Sequence, residues 1–377
     1  MRKSKGVKIK ISLRTIILCL MICYVPTIMA STGGFYLLKN NQKTYIDKIA
    51  VLSQKTPVYY EMAKGKGRVE CKIDDAYYGI SYASPAKFEI DPKDFDTTYH
   101  TIRFVVYNEK DKLVGKREYL LKLNLKREVD KRSSRKAKNF QKNDKPIYKR
   151  DYVPILMYHD IVTNVKDNSA QVSVEQFKSQ LSTLVNEGYT PINFVDYMHY
   201  KEGKGGLPKK PILITFDDGY ESNYINAYPV LRDKSIEATF FVPTKVVGQQ
   251  TTANNHFTWE QAKEMEKSGL IDIQSHTYSH CNMSKLGENE LLLEITKSFE
   301  TIENHLGTRD IKVLCYPEFK NSKKSRQVCS DIGVNLQITD LATPGRFTDY
   351  PTKLRRIHVH NHLSGQDLVR EIKNLTM

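Results

Sequence analysis

The stretch that decides the fold is PILITFDDGYESNY, residues 211–224, in which an unbroken apolar run stops at two adjacent carboxylates and a glycine. An apolar run without two-residue alternation is typical of a strand buried on both faces, as in a parallel sheet covered by helices. The residues that follow the run have two explanations. Asp217 and Asp218 either cap and turn the chain, as Asp and Gly commonly do, or carry chemistry at a strand end.

The chain after Val153 repeats this arrangement. Short apolar runs alternate with amphipathic segments such as SVEQFKSQLSTLVNEG and ENELLLEITKSFETIENHLG. Strands that alternate with helices indicate βαβ units and a parallel sheet. The number of units over residues 151–377 favours a distorted (β/α) barrel over an open sheet. In such barrels the active site lies at the carboxyl ends of the strands.

Ionisable residues recur where these predicted strands end. His159 follows PILMY, Asp217 and Asp218 follow ILITF, and His276 follows LIDIQS, while IKVLCYPE ends a further strand. Because the carboxyl ends of barrel strands meet at one mouth, we expect these side chains to lie close together. Successive strand residues point to opposite sides, so one aspartate is expected to bind a metal and the other to accept a proton.

His276 and His280 form an HxxxH pair in SHTYSH. In an extended strand this spacing separates the two residues by about 13 Å, so they can share an ion only if the chain curls into a helical turn after His276. Two imidazoles and a carboxylate suit a divalent transition metal such as zinc. An isolated HxxxH is also common among surface and capping residues, and the spacing alone does not decide.

TFDDG followed by HTYSH resembles the first two motifs of the polysaccharide deacetylase family, carbohydrate esterase family 4, whose catalytic part is the NodB homology domain. PILMYHDI and EATFFVPT are similar to the same family, and the motif style is that of exopolysaccharide and poly-N-acetylglucosamine deacetylases. The resemblance covers residues 150 to 370. It implies a NodB-type barrel and a metal-dependent hydrolase that removes N-acetyl groups from N-acetylglucosamine-containing extracellular or cell-wall polysaccharide.

The resemblance also implies roles for individual residues. Asp218, His276 and His280 would hold the metal, most simply Zn, with Ni, Co or Fe as alternatives. Asp217 would be the general base that deprotonates the attacking water. His159, in the MYH motif, would be the general acid for the leaving amine.

Two further parts of the site depart from the family pattern. The loop CYPEFK lacks the usual arginine and has Glu318 where the family often has tyrosine, although a backbone N–H at this position can still stabilise the oxyanion. Arg356 in KLRRIHV is the candidate for the arginine that orients the base, and Arg355 is the alternative.

Three histidines follow in the same strand and alternate along IHVHNH: His358, His360 and His362. We do not expect them to be catalytic, with the alternative that one of them replaces His159.

The N-terminus predicts export. Residues 1–14 form a basic cytoplasmic tail, and residues 15–38 carry no charge and can span a bilayer as a signal-anchor, which places the rest of the chain outside the cell membrane. The alternative is a cleaved secretory signal that ends at Ala30. The net charge of +15 indicates an acidic partner. Export, and the scarcity of aromatic residues among the clustered charges, argue against nucleic acid.

Two segments separate the anchor from the barrel. Residues 45–125 contain short β-type runs and predict a small β-rich module, either a structural stalk or a glycan-contacting domain. Residues 126–150 are dense in Lys and Arg and predict a solvated basic linker. Cys315 and Cys329 are one possible disulfide, with free buried thiols as the alternative.

The leading prediction is therefore a membrane-anchored, extracellular N-deacetylase. The alternative is a catalytically impaired glycan-binding or wall-attachment protein that retains the fold, which the altered CYPEFK loop suggests. The intact aspartates and the HxxxH pair favour the enzyme. The sequence does not choose among poly-N-acetylglucosamine, peptidoglycan and chitin oligomers as substrates, and it leaves the oligomeric state open.

Overall fold

The structure is a computed structural model that describes residues 33–62, 67–125, 137–138, 140–142, 144–148, 152–166, 170–250, 255–343 and 350–376. The chain forms two compact units. One comprises Met1–Asp91 and Thr101–Leu121, and the other comprises Pro92–His100 and Lys122–Met377.

Residues 15–32 of the predicted membrane span at 15–38 lie outside the described residues. The last part of the span is wrong, because Gly34–Lys39 forms a β-strand whose Phe35, Tyr36 and Leu37 are buried in the fold. Over the described ranges, every helix is too short or too polar to cross a bilayer.

The first unit is an assembly of antiparallel strands. Their bounds are Gly34–Lys39 (β1), Gln42–Tyr45 (β2), Ile49–Leu52 (β3), Thr56–Glu61 (β4), Gly67–Ile73 (β5), Ala76–Ser81 (β6), Ala86–Ile90 (β7), Tyr99–Asn108 (β8) and Leu113–Leu123 (β9).

These strands form two sheets, β2-β1-β4-β7 and β3-β9-β8-β5-β6. Phe35 of the first sheet and Phe104 of the second have ring centroids 5.1 Å apart, so aromatic side chains join the two sheets. Buried and less buried residues alternate along β8, as expected for a strand with one face in a core. The unit is a β-sandwich that begins at Gly34, earlier than the predicted boundary at residue 45.

The second unit alternates strands and helices. Its strands are Ile155–Tyr158 (β10), Asp160–Val162 (β11), Gln171–Ser173 (β12), Thr190–Pro191 (β13), Pro211–Phe216 (β14), Ala238–Val242 (β15), Ile271–Ser275 (β16), Val313–Cys315 (β17), Leu336–Leu341 (β18) and Leu354–His358 (β19). Its α-helices are Val174–Asn186 (α1), Phe194–Lys201 (α2), Tyr228–Asp233 (α3), Trp259–Lys267 (α4), Glu288–Leu306 (α5), Lys323–Asp331 (α6) and Gly365–Thr376 (α7). Short 3-10 turns lie at Pro92–Asp94 and Pro317–Phe319, and a π-helical turn lies at Asn223–Ala227.

Seven parallel strands close into a barrel. They follow the order β10-β19-β18-β17-β16-β15-β14, and β14 pairs back with β10 in parallel register. All six residues of β14 are buried, as the apolar run at 211–216 predicts. The predicted NodB-type (β/α) barrel is confirmed.

The described part of residues 126–150 differs from a solvated linker. Tyr148 is buried in the barrel's hydrophobic core, and Phe140 packs against a neighbouring cluster of that core. The Lys138 backbone N–H donates to Asp196 Oδ1 at 2.7 Å. The aromatic residues among the charges bring this segment onto the barrel. Cys315 and Cys329 are free thiols, so they are not bridged.

Candidate active site

The predicted site residues come from separate strands of the barrel and meet at its carboxyl-terminal mouth. His159 follows β10, Asp217 follows β14, His276 follows β16, and Arg356 lies in β19. His159 Nε2 lies 3.9 Å from Asp217 Oδ2, and His276 Nε2 lies 3.8 Å from the same oxygen. One carboxylate therefore lies near side chains that follow two other strands.

The two adjacent aspartates both lie close to His276. Asp218 and Gly219 have left-handed backbone conformations, with φ of 68° and 66°. Asp tolerates this region better than most residues, and Gly adopts it freely. The turn ends the alternation of side-chain directions that a strand would impose. Asp218 Oδ1 therefore lies 3.6 Å from His276 Nε2, and Asp217 Oδ2 lies 3.8 Å from the same nitrogen. Both carboxylates therefore lie beside His276, although successive strand residues point to opposite sides.

Asp218, His276 and His280 form a set of converging ligands. Asp218 Oδ1 lies 3.2 Å from His280 Nε2, and one ligand atom from each residue lies within 4.8 Å of the other two. Ligands about 2.1 Å from a tetrahedral ion are about 3.4 Å apart, so the spacing fits a divalent transition metal. His276 Nδ1 lies 2.8 Å from the carbonyl oxygen of Cys315, which leaves Nε2 for the metal.

The turn His276–His280 is not helical, contrary to the prediction. Left-handed φ values of 69° at Thr277 and 59° at His280 bring the second imidazole back toward the first. Glu294 of α5 holds this turn, because its carboxylate accepts the backbone N–H groups of residues 278 and 279 and the Ser279 hydroxyl, at 2.6 to 3.1 Å. Sequence reasoning missed Glu294, since it lies in a helix 14 residues after His280 and gives no local signal.

Electrostatics favour the metal-binding form of Asp218 and His276 and oppose it at His280. Burial alone would raise the pKa of Asp218, but the hydrogen bond to His280 and the charges of His276 and His159 hold that pKa well below its usual range. Burial lowers the pKa of His276 and outweighs the opposing charges of Asp217 and Asp218. The hydrogen bond to Asp218 raises the pKa of His280.

Arg356 pairs with Asp217 through two hydrogen bonds. Its Nη1 donates to Oδ1 at 2.7 Å, and its Nη2 donates to Oδ2 at 2.5 Å, while Nη1 also lies 3.1 Å from Thr215 Oγ1. Burial alone would raise the pKa of Asp217, but Arg356, with His276 and His159, lowers it below its usual range. Asp217 is thus a fixed, ionised carboxylate. Arg355 pairs instead with Asp340.

His159 is held by the segment that follows the aspartates. The amide of Asn223, a fully buried residue, donates to the His159 carbonyl oxygen at 2.7 Å. The amide of Asn226 donates to the Ile161 carbonyl at 2.7 Å. Both asparagines lie in the π-helical turn, a feature frequent at functional sites. Sequence reasoning missed these residues.

The CYPEFK loop lies at the same mouth. The Glu318 side chain is exposed, its φ is 48°, and its charge contributes to the raised pKa of His280 after the larger effects of Asp218. Cys315 Sγ lies 3.9 Å from Asp217 Oδ2, and burial raises the pKa of this thiol. Burial, followed by the charge of Asp218, raises the pKa of the Tyr220 hydroxyl. Neither Cys315 nor Tyr220 is singled out by the sequence motifs.

The chain is similar in sequence to known proteins. Residues 204–336 match the polysaccharide deacetylase family. The Bacillus subtilis (strain 168) protein YxkH, provisionally assigned as a polysaccharide deacetylase, is 29% identical over 213 residues, which are 56% of this chain and 73% of that protein. The poly-beta-1,6-N-acetyl-D-glucosamine N-deacetylase of Staphylococcus aureus (strain MRSA252) is 33% identical over 154 residues. These cover 39% of this chain and 53% of the Staphylococcus aureus protein.

A solved structure resembles the barrel as well. IcaB from Ammonifex degensii matches with a TM-score of 0.51 and 27% identity, over 62% of this chain and 98% of that one. The predicted resemblance and the prediction of a hydrolytic N-deacetylase are confirmed.

Proposed function

We propose, because residues 204–336 match the polysaccharide deacetylase family, that the protein removes N-acetyl groups from an N-acetylglucosamine-containing extracellular or cell-wall polysaccharide. The observation that carries the proposal is that two different sets of groups lie side by side at the mouth of the barrel. Asp218, His276 and His280 converge as metal ligands. Asp217, beside them, is ionised and fixed by Arg356.

The residues of the chain divide the reaction between them. A divalent metal held by Asp218, His276 and His280, most simply zinc, would supply Lewis acidity for the acetamide carbonyl and the attacking water. Asp217 accepts a proton from that water as its oxygen bonds to the carbonyl carbon. His159 donates a proton to the nitrogen as the C–N bond breaks, which releases acetate and the amine.

Two further groups assist these steps. Asp217 Oδ2 and His159 Nε2 are 3.9 Å apart, so the proton that the base takes can return to the acid. Arg356 does not reach the substrate in this scheme. It aims Asp217 and keeps it ionised. We assign stabilisation of the oxyanion to the backbone N–H at Glu318, which does not depend on the unusual side chain there.

We propose poly-β-1,6-N-acetylglucosamine as the first substrate to test, since the Staphylococcus aureus relative is named for that polymer. Location at the outer face of the cell membrane remains part of the proposal and rests on the uncharged stretch that follows the basic residues of the N-terminus. Arg356 weakens the alternative of an impaired glycan-binding protein, because it supplies from β19 the arginine that the CYPEFK loop lacks.

The test is acetate release from a panel of N-acetylated polymers by the purified protein, with metal analysis of the same sample. We expect activity that chelator removes and zinc restores, and that Asp217→Asn lowers at least 100-fold while the bound metal remains. Polymer binding without acetate release from any member of the zinc-loaded panel would instead favour the glycan-binding protein.

A further inference from the structure

Two buried histidine nitrogens lie beside the site without hydrogen-bond partners among the described residues. They are His159 Nδ1 and His358 Nε2. The two rings meet edge to face, with centroids 5.6 Å apart and planes at 79°. A buried polar nitrogen without a partner costs free energy. Since one imidazole nitrogen can donate where the other accepts, a hydrogen bond between the two rings would satisfy both atoms.

The barrel topology places these rings together. β10 and β19 are parallel neighbours, and Met157 lies opposite His358. His159 is two residues beyond Met157 and therefore emerges on the same side. The amide of Asn223 donates to the His159 carbonyl oxygen and fixes the main chain there. The juxtaposition thus follows from strand register and not from two mobile surface side chains.

The charge environment makes His358 an acceptor at neutral pH. Burial, followed by the positive charges of His159, His360 and Arg356, lowers the pKa of His358 to about 4, against a smaller opposing effect of Asp217. These groups come from β10, from β19 with the residues after it, and from the end of β14. His358 is therefore unprotonated across the range in which a histidine general acid works.

We propose that His358 is a positioning residue for His159: its Nε2 accepts a hydrogen bond from Nδ1–H of protonated His159. This inference rests on the proposed role of His159 as general acid. The bond satisfies both buried nitrogens and keeps Nε2–H of His159 turned toward Asp217 and the reacting centre. It stabilises the protonated ring, in the way that an outer hydrogen-bond partner orients a catalytic or metal-binding imidazole.

Substitutions of His358 test the proposal through kinetics. His358→Phe keeps the ring volume but removes the acceptor, and we expect kcat to fall about tenfold with KM within twofold. The alkaline limb of the pH–kcat profile should move to lower pH, because the protonated acid has lost its partner. His358→Gln restores an acceptor and should recover most of kcat. His362→Phe, at the exposed end of the histidine series, is the matched control and should behave as wild type.

A second readout does not need turnover. Nitrogen-15 spectra of the imidazole rings in the zinc-loaded protein should show a hydrogen-bonded Nδ1 for His159 that is lost in His358→Phe and kept in His358→Gln. This signal separates the two proposals, because it persists if no polymer releases acetate. Equal losses in the Phe and Gln variants, a rise in KM with lower unfolding stability, or an unchanged His159 signal in His358→Phe would each overturn the positioning role.

Discussion

Arg356→Met tests most directly the proposal that Arg356 orients Asp217 and keeps it ionised. The Arg356 and Asp217 side chains are only 1% and 3% exposed, so removal of the guanidinium leaves a carboxylate buried without its counter-charge. Breaking a buried ion pair from one side costs about 3–5 kcal/mol. Two charge-assisted hydrogen bonds at about 1.5–3 kcal/mol each give about 3–6 kcal/mol, which overlaps that range. We expect the free energy of unfolding to fall by about 3–5 kcal/mol at pH 7.

The loss depends on pH with a defined sign. In the wild type the pKa of Asp217 lies below its usual range, so the carboxylate stabilises the fold above the unfolded pKa of about 4, and this contribution is lost as pH falls through the folded pKa. In Arg356→Met, burial dominates and raises that pKa instead. The difference in unfolding free energy between the two proteins should therefore be larger at pH 7 than at pH 4, as urea titrations at both values would show.

Catalysis should fall together with stability. We expect kcat to fall at least about 100-fold, because Asp217 becomes protonated and loses its orientation. The measurement is acetate release after zinc loading. Arg355→Met is the control, because Arg355 pairs with the more exposed Asp340 and should cost less than about 1 kcal/mol. If Arg356→Met unfolds too readily to assay, Asp217→Asn in the same chain removes the unpaired charge and should recover part of the stability. An Arg356→Met protein with wild-type stability and kcat would refute the reasoning.

Three further outcomes follow from the metal site. Asp218→Asn should reduce bound zinc from one equivalent to a small fraction, measured by elemental analysis after dialysis, whereas Asp217→Asn should retain it. Zinc affinity should fall as pH is lowered, because the hydrogen bond to Asp218 raises the pKa of His280 and the proton must leave before the nitrogen binds. Titration calorimetry in two buffers of different ionisation enthalpy should detect the released proton. Glu294→Gln should weaken zinc binding 10- to 100-fold by loosening the turn that carries His280, while Glu288→Gln at the exposed start of the same helix should leave it unchanged.

The apolar runs and the residues after them are sufficient to predict the barrel and the composition of its site. The carboxyl ends of barrel strands meet at one mouth whatever loops connect them. The sequence alone could therefore predict that His159, Asp217 and His276 lie close together. The family motifs then gave each residue a role to test.

The parts that could not be predicted depend on backbone conformation and distant contacts. Left-handed turns at Asp218 and Thr277 decide where the second carboxylate and the second imidazole point, and neither residue type requires such a turn. Glu294 acts from another helix. Arg355 and Arg356 are adjacent and identical in chemistry, so only the strand's orientation in the barrel selects the inward one.

The packing of the segment before the barrel bears on how the enzyme can be produced. Tyr148 fills part of the barrel core and its hydroxyl donates to the Pro211 carbonyl oxygen, at the start of the strand that ends in the two aspartates. A recombinant fragment that begins at residue 151 would lack Tyr148 and would expose the apolar side chains that Tyr148 covers next to that strand. Low yield or aggregation of such a fragment would reflect the loss of this aromatic side chain from the core. Fragments for activity measurements should therefore begin before residue 137.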